Sequence, residues 1–596
     1  MSDIEKRTSR LLQFLYGERE GKQTYEQLQT QLADFRRDFN QRNIEQPSSL
    51  IELTERDTIL ITYGDQISQE GSRPLQTLRV FIESRIGNAI SGIHILPFFP
   101  YSSDDGFSVI DYRQVDPKLG NWSDLAGLSQ SYRLMIDGVI NHISRQSKWF
   151  QLFLKDVAPY KDFFITVDPN ADLSGVVRPR ALPLLTAVQT VNGKKWVWTT
   201  FSKDQIDLNY SNPQLLLAII DVLLFYVSKG AKIIRLDAIA YLWKELGTAC
   251  IHLPQTHAVV KLLRAILDAV APGVLLITET NVPHQENISY FGEIIPASDR
   301  TDEAQLVYQF SLAPLILHTF RTGNTKVISN WARQLKTPSP ACTFFNFIAS
   351  HDGIGVRPAE GILTPDEIGA LASQTLKHGG EVSYKTNSDG SKSAYELNIT
   401  LYDMLNNPDQ PDSEIDVRRF LASQVIMLSI AGVPGIYFHS LIGARNCQSC
   451  YRQTRRARSI NREKFTLQEL LHRVNEPGSH AQAVFEGYLH LLNKRRQCAA
   501  FHPQAAQMIL DFDERVFAVV RTSREDNELV LCLVNVTAES VKLKFHPEQL
   551  RLPHCEKWMD LIGDQVFRFG SAQFSLKLDS YQSMWLQPLK SPQRLL

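Results

Sequence analysis

Three apolar, strand-like runs each end on an acidic residue: AKIIRLDAIA with Asp237, VLLITETNVPH with Glu279 and FFNFIASHDGIG with Asp352. A carboxylate where a buried strand meets a loop is a poor choice for stability, because isolated buried charge is expensive. Three of them, spaced to fit successive strand–helix units, point to a shared pocket at one rim of a barrel. Two carboxylates flanking a bond, with a third to steady developing positive charge, are the equipment of retaining glycosyl transfer. The expected chemistry is displacement at a sugar's anomeric carbon.

Holding three such groups on one rim requires a regular set of strands. Eight apolar segments qualify: 57–65, 92–100, 132–142, 231–239, 273–280, 305–314, 343–352 and 432–440. Helical patterns such as PQLLLAIIDVLLFYVSKG and THAVVKLLRAILDAVAPG separate most of them. That count predicts an α/β fold, a (β/α)8 TIM barrel over residues 56–500. Residues 1–55 read as a helical extension of two charged amphipathic helices packed on the main domain. A Pro- and Trp-rich stretch, 143–210, is too long for a loop and predicts an inserted subdomain over the barrel mouth. A second long stretch, 355–415, reads as a loop region near the acceptor. Alternating segments such as RVFAVVRT and LVLCLVNVT predict a C-terminal antiparallel β domain over 501–596.

At 596 residues the chain exceeds what one core usually supports, in keeping with a large domain and appendages. Lys plus Arg (63) balance Asp plus Glu (64), which gives no reason to expect nucleic acid or an anionic membrane as partner. The opening MSDIEKRTSRLLQFLYGERE has charges where a signal peptide needs an apolar core, and no window is apolar enough to span a membrane. Seven cysteines are an odd, scattered set, and the lone CxxC of Cys447 and Cys450 lacks a second ligand pair for zinc. These read as free thiols in a reducing cytoplasm. No GxGxxG, P-loop or HExxH occurs, so nucleotide and zinc chemistry gain no support. The expectation is no metal, no cofactor, and a monomer or homodimer.

Four motifs, in order, resemble the α-amylase superfamily (glycoside hydrolase family 13). Asp137-Gly138-Val139-Ile140-Asn141-His142 fits the DxVxNH segment, Arg235-Leu236-Asp237 the nucleophile strand, Glu279 the acid/base strand, and His351-Asp352 the stabiliser strand. LPFFPYSSDDGFSVIDY, KELGT, ETNVPHQENISYFG and ASHDGIGVRP are similar to its sucrose-phosphorylase-like branch. The resemblance implies that Asp237 attacks the anomeric carbon, Glu279 is acid and then base, and Asp352 steadies the transition state. It implies sugar contacts for Asp104, His142, His351 and Arg458, stacking faces at Phe107 and Tyr63, and a fixed positive charge at Arg235. Asp137 reads as structural and His94 as a satisfied core residue.

Resolving the glucosyl-enzyme with phosphate demands cations, and the resemblance offers Arg178 and Arg180 of VVRPRALP. Ser459 follows Arg458 where many sucrose phosphorylases have aspartate, which weighs against sucrose as donor. The pattern is closer to enzymes that split 2-O-α-D-glucosyl-D-glycerate with inorganic phosphate. A glycerate carboxylate needs a cation, expected at Lys385 with Tyr384 beside it in VSYKTN. Sucrose phosphorolysis, and hydrolysis or transglucosylation of α-glucosides, are the alternatives.

Overall fold

Short runs of Ile, Leu, Val and Phe form eight parallel strands, because residues buried on both faces favour near-continuous apolar sequence. They are β1 (Ile59–Thr62), β2 (Gly92–Ile95), β3 (Arg133–Gly138), β4 (Ala231–Leu236), β5 (Leu275–Thr278), β6 (Leu306–Tyr308), β7 (Thr343–Asn346) and β8 (Val433–Tyr437). Each pairs with the next, and β8 closes on β1. All eight predicted strands are present. The computed structural model describes residues 2–41, 52–179, 182–386, 391–546, 552, 555–569 and 573–589.

The two outer helices that matter most here are Pro213–Ser228 and Pro254–Val270, each started by proline in its first turn. The N-terminal helical segment Asp3–Gln41 breaks at Gly17 (φ 77) and folds back on itself. Its two arms cross so closely that a Cβ on Gly21 would lie 2.6 Å from the Leu12 carbonyl oxygen. The pair lies on those outer helices, with Arg7 bonded to Asp268 (2.9 Å), Tyr16 donating to the Tyr210 carbonyl (3.0 Å) and Gln31 to that of Leu217 (3.2 Å).

Within 143–210 lies an antiparallel hairpin, Leu185–Thr190 with Gly193–Trp198, and Gln205–Asp207 returns to pair with His142–Ser144. The stretch 355–415, expected as loop, carries regular structure. Thr364 and Glu367 form a capping box that starts a helix over Pro365–Lys377. Strands Glu381–Thr386 and Lys392–Asn398 then join Ile354–Gly355 in a three-stranded sheet. The C-terminal strands form a six-stranded antiparallel sheet and a smaller two-stranded one, with a second apolar cluster around Trp558.

One expectation about cysteine fails. Cys447 and Cys450 are disulfide-bonded across the start of the helix Gln448–Thr454, their Cα atoms 5.3 Å apart. The turn that begins a helix brings positions three apart within bridging reach, which composition could not reveal.

Candidate active site

Strand alternation puts Asp237, the residue just past β4, on the side to which Arg235 points, and register sets Arg235 opposite Asp137 on β3. Arg235 NH1 donates to Asp137 Oδ1 (2.5 Å) and Asp237 Oδ1 (2.7 Å), while NH2 lies 3.8 Å from Glu279 Oε2. Its Nε donates to the Tyr308 hydroxyl at 3.2 Å. His94 holds the other Asp137 oxygen at 2.6 Å. Burial works against the guanidinium charge, yet Asp137 and the other anions raise its pKa well above the ordinary value. Arg235 is therefore a permanent cation beneath two carboxylates.

Those carboxylates are not equivalent. Burial raises both, and Glu279 reaches about 7 with Asp237 and Asp352 pushing the same way and Arg235 opposing. Arg235 makes a direct bond to Asp237 but only a longer approach to Glu279. A single proton shared by the pair therefore belongs on Glu279, leaving Asp237 an anion. The Ala238 N–H donates to Glu279 Oε2 at 2.9 Å from a left-handed conformation (φ 49) that alanine rarely adopts. Backbone strain of this kind persists only where surrounding structure imposes it.

Asp352 faces a different field. Burial opposes its ionisation, but Arg458 NH1 at 2.6 Å, with His351 and Arg462, holds its pKa well below the usual carboxylate range. Burial pushes His351 down to about 3 and lowers His142, so both imidazoles are neutral near pH 7. His142 Nε2 donates to the Phe107 carbonyl at 2.9 Å, and Phe107 stacks flat on His351 with centroids 4.8 Å apart. Phe107 thus steadies a histidine and turns only part of its ring to the cavity.

Asp104, Phe107, His142, Asp237, Glu279, His351, Asp352 and Arg458 line one cavity, with Arg235 beneath it. Tyr384 lines an outer cavity that shares Asp104, Pro179, Gln205, Tyr395, Glu396 and Arg458 with the first. Three sequence expectations are not met there. Lys385 lies one residue along the strand from Tyr384, lines neither cavity, and donates to Glu360 Oε1 at 2.7 Å. Period-two alternation sends it to the opposite face of the hairpin. Arg178 is exposed and lines neither cavity, although its neighbour Pro179 borders both, and Arg180 lies outside the described residues. Tyr63 is buried with Lys464 over its ring at 3.6 Å, so it offers no face to a ligand in either cavity.

The structure adds residues that sequence reasoning missed. Glu396 receives Arg458 NH2 at 2.8 Å and Nε at 3.1 Å, clamping the guanidinium between itself and Asp352. Asp204 Oδ2 accepts three hydroxyls, from Ser102 (2.5 Å), Ser103 (2.5 Å) and Ser108 (2.8 Å). This pins a loop in which Asp104 and Asp105 both take positive φ, 53 and 49. The Lys244 ammonium bridges Asn141 Oδ1 (2.8 Å) and Asp207 Oδ2 (2.6 Å), tying the barrel to the inserted hairpin region. The KELGT motif is local in sequence, but its lysine's partners sit dozens of residues away. Among the described residues no group of three or more His, Cys, Asp or Glu side chains gathers to hold a metal, and no helix is long and apolar enough to cross a membrane.

A closed eight-stranded parallel barrel with catalytic-type carboxylates at its strand ends defines a class, and residues 86–354 match the family described as alpha amylase, catalytic domain. The chain belongs to the α-amylase family. It is 47% identical to a glucosylglycerate phosphorylase of Spirochaeta thermophila, covering 98% of this chain and 99% of that protein. Over 81% of this chain and 86% of the relative it is 54% identical to a glucosylglycerate phosphorylase of Allomeiothermus silvanus. The fold is shared with sucrose 6F-phosphate phosphorylase from Thermoanaerobacter thermosaccharolyticum at a TM-score of 0.70, 24% identity, 82% of this chain and 95% of that one.

Proposed function

We propose that the protein is a retaining glycoside phosphorylase that splits 2-O-α-D-glucosyl-D-glycerate with inorganic phosphate into α-D-glucose 1-phosphate and D-glycerate. The observation that carries the reading is the carboxylate pair beside Arg235, Asp237 bonded directly to the guanidinium and Glu279 at a longer approach, in a chain this close to glucosylglycerate phosphorylases. In the first half-reaction Asp237 attacks C1 and forms a β-glucosyl ester while Glu279 gives its proton to the departing glycerate oxygen. In the second, Glu279 takes a proton from the incoming phosphate, whose oxygen attacks C1 and releases Asp237. Asp352 and the neutral His142 and His351 would hold sugar hydroxyls as positive charge develops on the ring. Arg458, bridged between Asp352 and Glu396, would close the far side of that pocket, with Asp104. No metal or cofactor enters these steps.

The test is glucose 1-phosphate release from glucosylglycerate and from sucrose, each with and without phosphate. Release from glucosylglycerate, only with phosphate, is expected. Preference for sucrose would keep the mechanism and overturn the acceptor. Free glucose with no phosphate requirement would make the protein a hydrolase.

A further inference from the structure

Among the described residues, the outer cavity is lined by four cations, Lys203, Arg456, Arg458 and Arg462. Two of them are spoken for. Arg458 is shared between Asp352 and Glu396, and Arg462 is ion-paired with Asp105. The acidic neighbours are likewise engaged: Glu396 by Arg458, Asp105 by Arg462, Asp204 by three serine hydroxyls, and Asp104 by the Gln205 side-chain amide, which donates to Oδ2 at 3.4 Å. Lys203 and Arg456 are exposed, and neither makes an ion pair among the described residues. They flank the same pinned loop. Lys203 precedes Asp204, which holds Ser102 and Ser103, and Arg456 stands near enough to Tyr101 to act on its phenol electrostatically.

Both molecules that must enter past this wall are anions. Glycerate carries a carboxylate and the second substrate is phosphate, and in a double displacement each occupies the space vacated by the other. Lys385, held by Glu360 on the far face, is not available to meet them. We infer that Lys203 and Arg456 form one anion receptor used twice per turnover, first for the glycerate carboxylate and then for phosphate. This deepens the phosphorylase reading and rests on it. The planar fork of Arg456 suits two oxygens of either anion, and Lys203 adds a mobile point charge.

The experiment measures Lys203→Ala, Arg456→Ala and the double variant of the full chain with three substrates: glucosylglycerate, phosphate and α-D-glucosyl fluoride. The fluoride leaves without proton or anion recognition, so fluoride-ion release in a single turnover, with enzyme in excess, reports the glucose pocket and Asp237 alone. The KM values for glucosylglycerate and phosphate should rise together, about tenfold in each single variant, the loss of one charge-assisted contact. The single-turnover rate of fluoride release should stay within about twofold of the parent, which also certifies that each variant is folded. Unchanged KM values, or a rise for one anion without the other, would overturn the shared receptor. In the unaltered protein sulfate should inhibit competitively against phosphate at saturating glucosylglycerate and against glucosylglycerate at saturating phosphate, and competition with only one would overturn it too. Failure of the parent protein to release fluoride ion from α-D-glucosyl fluoride in a single turnover would instead refute the retaining glucosyl-transfer reading itself.

Discussion

Glu279 has to be an acid in the first half-reaction and a base in the second, and its burial is what sets it between the two roles. With its pKa raised to about 7, kcat/KM for glucosylglycerate should fall as pH rises through that value, because the free enzyme loses its proton donor. Glu279→Gln should slow glucosylglycerate turnover roughly a hundred- to ten-thousand-fold, the range for removing a general acid. Hydrolysis of α-D-glucosyl fluoride should suffer far less in its first step. The same residue has a stability signature. Folded Glu279 binds its proton more tightly than the unfolded chain does, so its ionisation opposes folding. That penalty is absent below the unfolded value of 4.5 and complete above about 7. Thermal unfolding of Glu279→Gln should therefore show a gain on the order of 2–3 kcal/mol above pH 7 that disappears below pH 4.5. An equal gain at both pH values would mean the carboxyl is not held protonated by burial.

At the scale of elements, the rim works because separate segments are locked to one another. Lys244, from the segment after β4, is fully enclosed with Asp207 and Asn141, and removing one partner of a buried pair leaves the other charge stranded. Lys244→Met should cost roughly 3–5 kcal/mol in denaturant unfolding and loosen the segment carrying His142. The N-terminal helices meet at Gly21, where any Cβ would strike the Leu12–Gln13 backbone. Gly21→Ala should lower stability by about 1–3 kcal/mol with little effect on kcat, since that contact lies on the outer helices rather than at the strand ends. Calorimetry on Gly21→Ala beside Gly193→Ala would separate crowding from glycine's backbone preference, because Gly193 (φ 104) has open space around its missing Cβ.

Across the whole molecule, barrel and C-terminal sheet share one continuous apolar core. Phe517, Val519, Val530, Cys532 and Trp585 of that sheet belong to the same buried cluster as the barrel strands. Trp585 Nε1 donates to Ser429 Oγ at 2.9 Å, and buried Arg521 donates to the Ser429 carbonyl at 3.0 Å. Interlocking of this depth predicts that both regions unfold together. A heating scan should show activity and the near-ultraviolet signal of Trp558 and Trp585 lost in one transition; two resolved transitions would refute this. Trp585→Ala should lower that single transition rather than split it, by roughly 3–5 kcal/mol of stability.

What the sequence determined by itself was the local chemistry and the local pattern. Eight runs of β-branched and apolar residues specified the strands, and the carboxylates closing three of them specified a rim, because periodicity and burial are written residue by residue. Asp237, Glu279 and Asp352 were legible for that reason, and so was the partnership of Arg235 with Asp237, two residues away on the same side of the chain. The tertiary structure alone decided which charges are available. Whether Lys385 faces the cavity depends on the phase of a hairpin, and the structure turns it to Glu360. Glu396 carried no signal until that same hairpin set it against Arg458. The pairing of Lys244 with Asp207 and the Cys447–Cys450 bridge follow from chain segments meeting or turning in space. Side-chain identity is local information, but an ion pair is a property of two positions, and only the fold brings them together.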